Sequence, residues 1–510
     1  MNWDLDRARA PREPSDVALL VEGTYPFVRG GVSSWVHRLI ESLPEIAFSV
    51  VFLGGRRSDH GPPAYPRLPN VRHLERRYLF EPPEEHEPAP SMRRGRCRLA
   101  EVDRLHDLLR DTGPDTPLDP LLLASLARLL GEPRGVTRRD FLHGDDAWRR
   151  IDEAYRRDCP EASFTDYFWT VRAIHAAVFT VADLARRLPP ARAYHAVSTG
   201  YAGLLGALLH HRHGRPLVVT EHGIYTKERK IDLASAEHVP GDGGDPRASG
   251  FGRRLWMRFF EGLGRIAYAS ANLTIALHEG ARRRQIQDGA PPRRTRVIPN
   301  GVDVARFAAV RAARPSSPPP VLGFLGRLVP IKDVKCFVRA MKAAVSQWPD
   351  VRGLVVGPTS EDAGYARECV QLAATIGLEG RVEFTGYRPA EEVLPRLGLL
   401  VLTSISEGLP LVVLEAFASG LPVLTTDVGA CRELVEGRTP EDRALGAAGA
   451  VLPIADPDAI ARAALALLRD PARWRAAREV ALRRAETYYS EARVSEAYRR
   501  IYREAQAWQA

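Results

Sequence analysis

Short, mostly apolar runs recur along the chain, each followed by a polar or glycine-bearing turn and then by an amphipathic stretch. Val17 to Val21, Phe48 to Leu53, Pro216 to Thr220, Val321 to Leu325, Gly353 to Val356 and Leu399 to Leu402 are the clearest of them. Unbroken apolar runs, rather than alternation, are what strands covered on both faces require. The segments between them, such as Ser33 to Leu43 and Phe164 to Leu188, carry helical spacing. Strand and helix in alternation predict an α/β protein built on parallel sheets.

A chain of 510 residues exceeds what one core usually holds, so two domains are expected. The stretch Ala308 to Pro320 contains Arg314-Pro-Ser-Ser-Pro-Pro-Pro and reads as a stiff linker between them. The predicted plan is therefore a disordered leader at 1–15, a first domain at 16–307, a linker at 308–320, a second domain at 321–489 and a last helix at 490–510. From about 56 to 160 the chain turns charged and proline-rich, with helical patches at 98–111 and 121–130, and reads as an insertion in the first domain.

Composition narrows the function classes. Hydrophobic residues make up 45 % and charged residues 26 %, the balance of an ordinary globular protein. The formal charge of +9 is carried mostly by arginine, without the clustered basic runs and interleaved aromatics of a nucleic-acid binder, so no nucleic-acid partner is expected. A modest attraction to an anionic membrane face is compatible with that charge. The five cysteines are scattered and form no Cys-x-x-Cys pair, which argues against a disulfide framework or a zinc site and suits a reducing compartment. The first residues are charged with no apolar centre, unlike a signal peptide, and no apolar run reaches the roughly 18–20 residues of a spanning helix. The expectation is a soluble cytoplasmic protein.

The chemistry concentrates in 399–427. Leu399 to Leu402 is a strand, a tight polar turn holding Glu407 and Gly408 follows, and then comes a helix that Gly420 and Pro422 end. Pro410 suits the first turn of that helix, where its missing N–H costs nothing. The free N–H groups around Gly408 and Leu409 and the helix dipole make a seat for an anion. Glu407 lies in the turn and Glu415 about two turns on, and helical side chains lean toward the N-terminus, so both carboxylates can border the same space. Carboxylates beside an anion make sense only if they accept hydrogen bonds from hydroxyls on the same ligand. A diphosphate flanked by hydroxyl-bearing rings, a nucleotide-sugar, meets that demand. Arg327 and Lys332 stand five apart in the loop after Val321 to Leu325, and two fixed cations there would neutralise a diphosphate and stabilise it as a leaving group.

In the first half, the strand Val17 to Val21 leads through Gly30 and Gly31 into a helix. Paired glycine lets backbone approach a ligand, and the loop is not Gly-x-Gly-x-x-Gly, which disfavours a nicotinamide cofactor. His222 follows the strand Pro216 to Thr220, at the carboxyl end where open α/β sheets bind ligands, and Lys227, Arg229 and Lys230 add charge to that edge.

Glu407-x7-Glu415 within Ser-Glu-Gly-Leu-Pro, Gly-Arg-x4-Lys at 326–332 and Pro-Asn-Gly-Val-Asp at 299–303 resemble the retaining GT-B glycosyltransferases of glycosyltransferase family 4. The stretches 21–35 and 220–229 look specifically like its PelF group, the soluble glycosyltransferases of the Pel exopolysaccharide system. The resemblance implies two Rossmann-like domains facing each other across a donor-binding cleft, the last helix crossing back to the first domain. It implies transfer of a hexose, of glucose or N-acetylhexosamine type, from a UDP-sugar to a growing exopolysaccharide with retention. Arg327 and Lys332 would hold the departing diphosphate, assisted by Gly408, Leu409 and Pro410. Glu407 would bind the sugar hydroxyls, His222 the other face of the sugar, and Glu415 the ribose. The turn at Gly386 and Tyr387 would touch the base, and Gly30 and Gly31 would approach the donor phosphates. The leaving phosphate would take the acceptor's proton. No cofactor beyond the UDP-sugar co-substrate and no metal is implied; Asp-x-Asp occurs only at Asp4 to Asp6 and Asp456 to Asp458, neither closing a central strand. The partners implied are the polysaccharide acceptor and an inner-membrane polysaccharide synthase complex. A UDP-sugar epimerase of the same fold and a non-catalytic UDP-binding subunit share these features. A phosphorylase does not, because Lys342 is the last lysine and no later one can carry pyridoxal.

Overall fold

The computed structural model describes residues 3, 14–81, 102–103, 118–131, 135–143, 145–161, 163–235 and 250–508. Nearly all of the expected leader and of the expected helix at 98–111 lies outside them.

The chain divides into two units. The first comprises residues 1–276, 281–297 and 498–510, and the second 277–280 and 298–497. Seven parallel strands form the first sheet: β1 (Val17–Glu22), β2 (Phe48–Gly54), β3 (Val71–Tyr78), β4 (Ala193–Ala196), β5 (Leu217–Glu221), β6 (Leu273–Ala276) and β7 (Thr295–Val297). Their order is β3-β2-β1-β4-β5-β6-β7. The chain builds outward from β1, then crosses over to β4 and builds the other way. Loops leaving β1 and β4 therefore diverge, which is where such sheets open a ligand crevice.

The apolar runs are strands for the reason their composition indicates: Val17, Leu19, Leu20, Phe48, Val50 and Phe52 are fully buried between helical layers. The helix Phe164–Arg187 is long and apolar enough to cross a membrane by length and composition, yet half of its apolar stretch is buried, and Ala177, Val181 and Leu184 belong to the first unit's core. The insertion contributes to that core as well. Its helix Pro120–Gly131, predicted at 121–130, packs Leu123, Ala127 and Leu130 into it. The strand β3 escapes sequence pattern because Val-Arg-His-Leu-Glu-Arg-Arg-Tyr is polar. It is an edge strand with mostly half-buried side chains, so no continuous apolar run is needed.

The second unit carries six parallel strands: β8 (Val321–Leu325), β9 (Arg352–Val356), β10 (Val382–Gly386), β11 (Leu399–Leu402), β12 (Val423–Thr426) and β13 (Gly449–Leu452), in the order β10-β9-β8-β11-β12-β13. The crossover falls between β8 and β11, the strands whose following loops carry Arg327, Lys332 and Glu407. Both units are Rossmann-like.

Two features differ from the predicted plan. The main run of the second unit starts at Ile298, and residues 308–320 are not a free linker. Ala308–Ala312 is helical, and Arg314, only 6 % exposed, donates to the carbonyls of Leu394 at 2.9 Å, Leu397 at 2.8 Å and Ser419 at 3.1 Å. A guanidinium closing three carbonyls fastens a proline-rich segment that composition alone marks as loose. The last helix, Glu491–Ala507, contributes its residues from Tyr498 onward to the first unit.

A second buried arginine closes the far end of the second unit. Arg484 is fully buried, pairs with Asp442 at 2.6 Å, and donates to the carbonyls of Val435, Asp442 and Gly446 at 2.6, 2.9 and 2.8 Å. Removing one member of a buried pair strands the other. Arg484→Ala should therefore lower stability by about 3–5 kcal/mol, read by urea unfolding. A loss below about 1 kcal/mol, the worth of an exposed pair, would contradict the burial assigned to it.

Candidate functional site in two Rossmann-like units

In the second unit, three loops are sewn together at the carboxyl end of the sheet. The Thr403 hydroxyl donates to the Lys332 carbonyl at 2.9 Å, and the Ile405 N–H to the Ile331 carbonyl at 2.8 Å, joining the loop after β11 to the loop after β8. From the other side, the Thr426 hydroxyl donates to the Ser404 carbonyl at 2.6 Å and the Ala430 N–H to the Gly408 carbonyl at 2.8 Å. Gly429 makes that approach feasible. It takes φ +54°, and a Cβ there would lie 2.3 Å from the Glu407 carbonyl oxygen and 2.4 Å from that of Gly408.

This stitching brings Lys332 Nζ to 2.5 Å from Glu407 Oε1, which also accepts the Ser404 hydroxyl at 2.5 Å. The two side chains are 18 % and 9 % exposed. Arg327, on the same loop as Lys332, turns its guanidinium to Glu361, both about half exposed. The helix after the turn is Leu411–Ala418, so Pro410 falls just before it rather than in its first turn. Pro410 is its N-cap with extended backbone, and no side chain caps it. Gly420 ends it in the left-handed region, with the Leu421 N–H returning to the Ala416 carbonyl at 2.8 Å.

Glu415, on that helix, lies near Arg306. Burial works against the Arg306 charge, but Glu391, Glu415 and Asp303 more than offset it and raise its pKa. Gly386, at φ +69°, accepts the Gly357 N–H at 3.0 Å, and Tyr387 beside it is 64 % exposed.

In the first unit, Glu22 at the end of β1 accepts from the Tyr225 hydroxyl at 2.7 Å, the Ser198 hydroxyl at 3.2 Å and the Ala202 N–H at 3.3 Å. The helix Tyr201–His213 has glycine at its N-cap, so Glu22 supplies the capping carboxylate from another strand. Gly200 leaves room for these contacts: a Cβ there would sit 2.4 Å from the Tyr225 ring and 2.6 Å from the Glu22 carboxylate, so the two side chains would have to shift. Glu221, 2 % exposed, accepts from Tyr268, Thr199, Gln285 and the Tyr225 N–H at 2.5, 2.8, 3.0 and 3.2 Å; burial nonetheless raises its pKa.

His222 follows, its ring edge-on to Trp35 at 4.4 Å. Burial pushes its pKa down to about 3, so it is a neutral imidazole, and its Nε2 is buried with no hydrogen-bond partner among the described residues. His195, under Trp35, bonds the hydroxyls of Tyr502 at 2.7 Å and Thr220 at 2.8 Å and is likewise driven to about 3, by burial and then by His222. Gly30 and Gly31 open the helix Gly31–Glu41 and are exposed. A Cβ on Gly30 would meet nothing within 4 Å, so the protein's own packing does not demand glycine there.

Residues 319–470 match the family model described as Glycosyl transferases group 1, and residues 15–293 match one described as a domain of unknown function, DUF3492. The D-inositol 3-phosphate glycosyltransferase of Saccharomonospora viridis is 30 % identical over 324 residues, covering 60 % of this chain and 68 % of the relative. The chain belongs to the group 1 glycosyltransferases.

This group 1 chain spans about half the length of the first curated relatives it matches. The Nocardia farcinica D-inositol 3-phosphate glycosyltransferase, 31 % identical over 259 residues, is covered over 53 % of its length and covers 48 % of this chain. Among solved structures, Anabaena HepE in complex with UDP-glucose aligns over 96 % of this chain and 99 % of its own with a TM-score of 0.55 and 17 % identity, a likeness of fold. The two units are thus the two Rossmann-like domains of the GT-B fold.

Of the sequence-predicted residues of this group 1 chain, Lys332 and Glu407 meet directly, with Gly408, Leu409 and Pro410 in the same turn. Arg327 shares the loop but pairs elsewhere, Glu415 sits on the adjoining helix, and Gly386 and Tyr387 end β10. His222, Gly30 and Gly31 belong to the first unit. Sequence reading gave no role to Gly200, to Gly429, or to Glu22, Trp35 and Tyr225, although the last three lie in the stretches 21–35 and 220–229. The signal for Glu22 was available, a lone carboxylate ending an apolar run.

Among the described residues no three His, Cys, Asp or Glu side chains form a metal-holding group. The neutral histidines set a pH dependence. Both folded-state pKa values lie below the ordinary 6.5, so the unfolded chain binds protons first and stability falls as pH drops from about 6.5 toward 3. Each histidine contributes at most about 1.4 kcal/mol per pH unit in that window. Urea unfolding between pH 7.5 and 4.5 should show a shallower slope for His222→Phe than for wild type. Identical slopes would show that His222 is not buried as a neutral ring.

Proposed function

We propose that this chain is a retaining glycosyltransferase that moves a hexose, of glucose or N-acetylhexosamine type, from a UDP-sugar to a growing exopolysaccharide in the manner of the PelF group. The observation that carries the reading is the Lys332–Glu407 contact at the crossover of the second sheet, with Arg327 on the same loop. HepE, of like fold, has been solved with UDP-glucose.

In this reading the donor exchanges partners with the ion pair. The diphosphate takes Lys332 from Glu407 and draws Arg327 from Glu361, while the sugar hydroxyls take the carboxylate that Lys332 releases. Glu415 accepts from the ribose, the Gly386–Tyr387 turn lies against the base, and N–H groups around Gly408 and Leu409 share the phosphate charge. As the bond between the anomeric carbon and the phosphate oxygen breaks, the two cations stabilise the charge developing on the diphosphate. That oxygen accepts the proton of the acceptor hydroxyl, which attacks from the same face and retains the configuration. His222 is neutral and acts as a hydrogen-bonding group toward the sugar, not as a charged acid. Gly30 and Gly31 give the donor phosphates room. The cations supply the charge compensation, so no metal is required. The work is cytoplasmic, and the product passes to an inner-membrane synthase complex.

Calorimetry against a panel of UDP- and GDP-sugars tests this. Wild type should bind UDP and at least one UDP-sugar, and Lys332→Ala should lose about 1.5–3 kcal/mol of that affinity, the worth of a charge-assisted hydrogen bond. Equal affinity in the two proteins would remove the phosphate-clamp assignment.

A further inference from the structure

The turn at 407–410 is held by its carbonyls, and one of those holds comes from Asn300. Asn300 is 4 % exposed, and its Nδ2 donates to the Leu409 carbonyl at 3.1 Å. No backbone N–H among the described residues donates to that carbonyl. The peptide it belongs to joins Leu409 to Pro410, and proline brings no N–H, so the carbonyl is the only polar handle by which this peptide can be fixed. The preceding carbonyl, of Gly408, is fixed independently by the Ala430 N–H at 2.8 Å.

Asn300 itself stands on a rigid mount. The Val302 N–H donates to the Tyr489 carbonyl at 2.8 Å, and the Glu491 N–H returns to the Val302 carbonyl at 3.0 Å. Gly301 lies so close to that segment that a Cβ would come within 2.8 Å of the Glu491 Cα. The amide's other atom, Oδ1, is buried without a partner among the described residues, so the bond from Nδ2 to the Leu409 carbonyl is the side chain's one hydrogen bond among them.

We propose that Asn300 is a positioning residue for the donor-phosphate seat: through its amide N–H it fixes the Leu409–Pro410 peptide, and thereby the start of the helix Leu411–Ala418. The assignment rests on reading the 407–410 turn as that seat.

The test uses UDP calorimetry on full-length wild type, Asn300→Asp and Asn300→Ala at pH 8 and pH 5, each variant compared with wild type at the same pH. At pH 8 an ionised carboxylate cannot donate and opposes the Leu409 carbonyl, and affinity should fall about tenfold. Burial raises the pKa of such a carboxyl, so at pH 5 it is protonated, the O–H replaces the amide N–H, and the deficit should shrink to about threefold or less. Asn300→Ala should lose about tenfold at both pH values. Should Asn300→Asp not fold, Asn300→Ala decides the matter alone. Wild-type affinity in Asn300→Ala, or an equal deficit at both pH values in Asn300→Asp, would overturn the proposal. Equal UDP binding by wild type and Lys332→Ala would instead condemn the reading of the seat.

Discussion

An ammonium and a carboxylate 2.5 Å apart, with 18 % and 9 % of their side chains exposed, interact more strongly than they would at an open surface. Neither partner can be left alone in such a place without a large penalty. Under the proposed function, the contact between Lys332 and Glu407 sets what a donor must bring: an anion for one and hydrogen-bond donors for the other. Under the proposed function a nucleotide-sugar brings both. A free phosphate would leave Glu407 with only the Ser404 hydroxyl, and a free sugar would leave Lys332 without a counter-charge. Discrimination follows from the cost of breaking the pair for half a replacement.

The geometry of that contact belongs to the sheet. β8 and β11 are neighbours, and the chain builds away from them in opposite directions. Their loops would diverge, yet Thr403 and Ile405 tie one to the other, and Thr426, Gly429 and Ala430 press from the far side. In the first unit the corresponding crossover, between β1 and β4, is closed by Glu22, which holds Ser198, the helix at Ala202 and Tyr225 together. Carboxylates do different work in the two units. Glu22 and Glu221 accept their hydrogen bonds from neutral donors, whereas Glu407 is paired with the Lys332 ammonium.

What sequence made legible was local. The buried strands and the glycine stop at Gly420 follow from runs of a few residues, and the loop cations and paired glutamates from fixed spacings. What it hid was long-range. The bond from Tyr225 to Glu22 spans 203 positions. The clash that keeps Gly429 a glycine is with a turn about twenty residues earlier. Arg314 sits in a run of prolines that composition reads as a spacer, and its three carbonyl partners lie 80 to 105 positions away. The strand β3 was hidden for the opposite reason: an edge position frees it from the apolar run by which its neighbours are recognised.

A crystal structure of the chain with an intact UDP-sugar tests the central claim most directly. The account predicts the diphosphate within hydrogen-bond distance of Lys332 Nζ and of the Arg327 guanidinium, with a sugar hydroxyl on the Glu407 carboxylate in place of the ammonium. A nucleotide bound elsewhere, or one bound with the Lys332–Glu407 contact undisturbed, would contradict it.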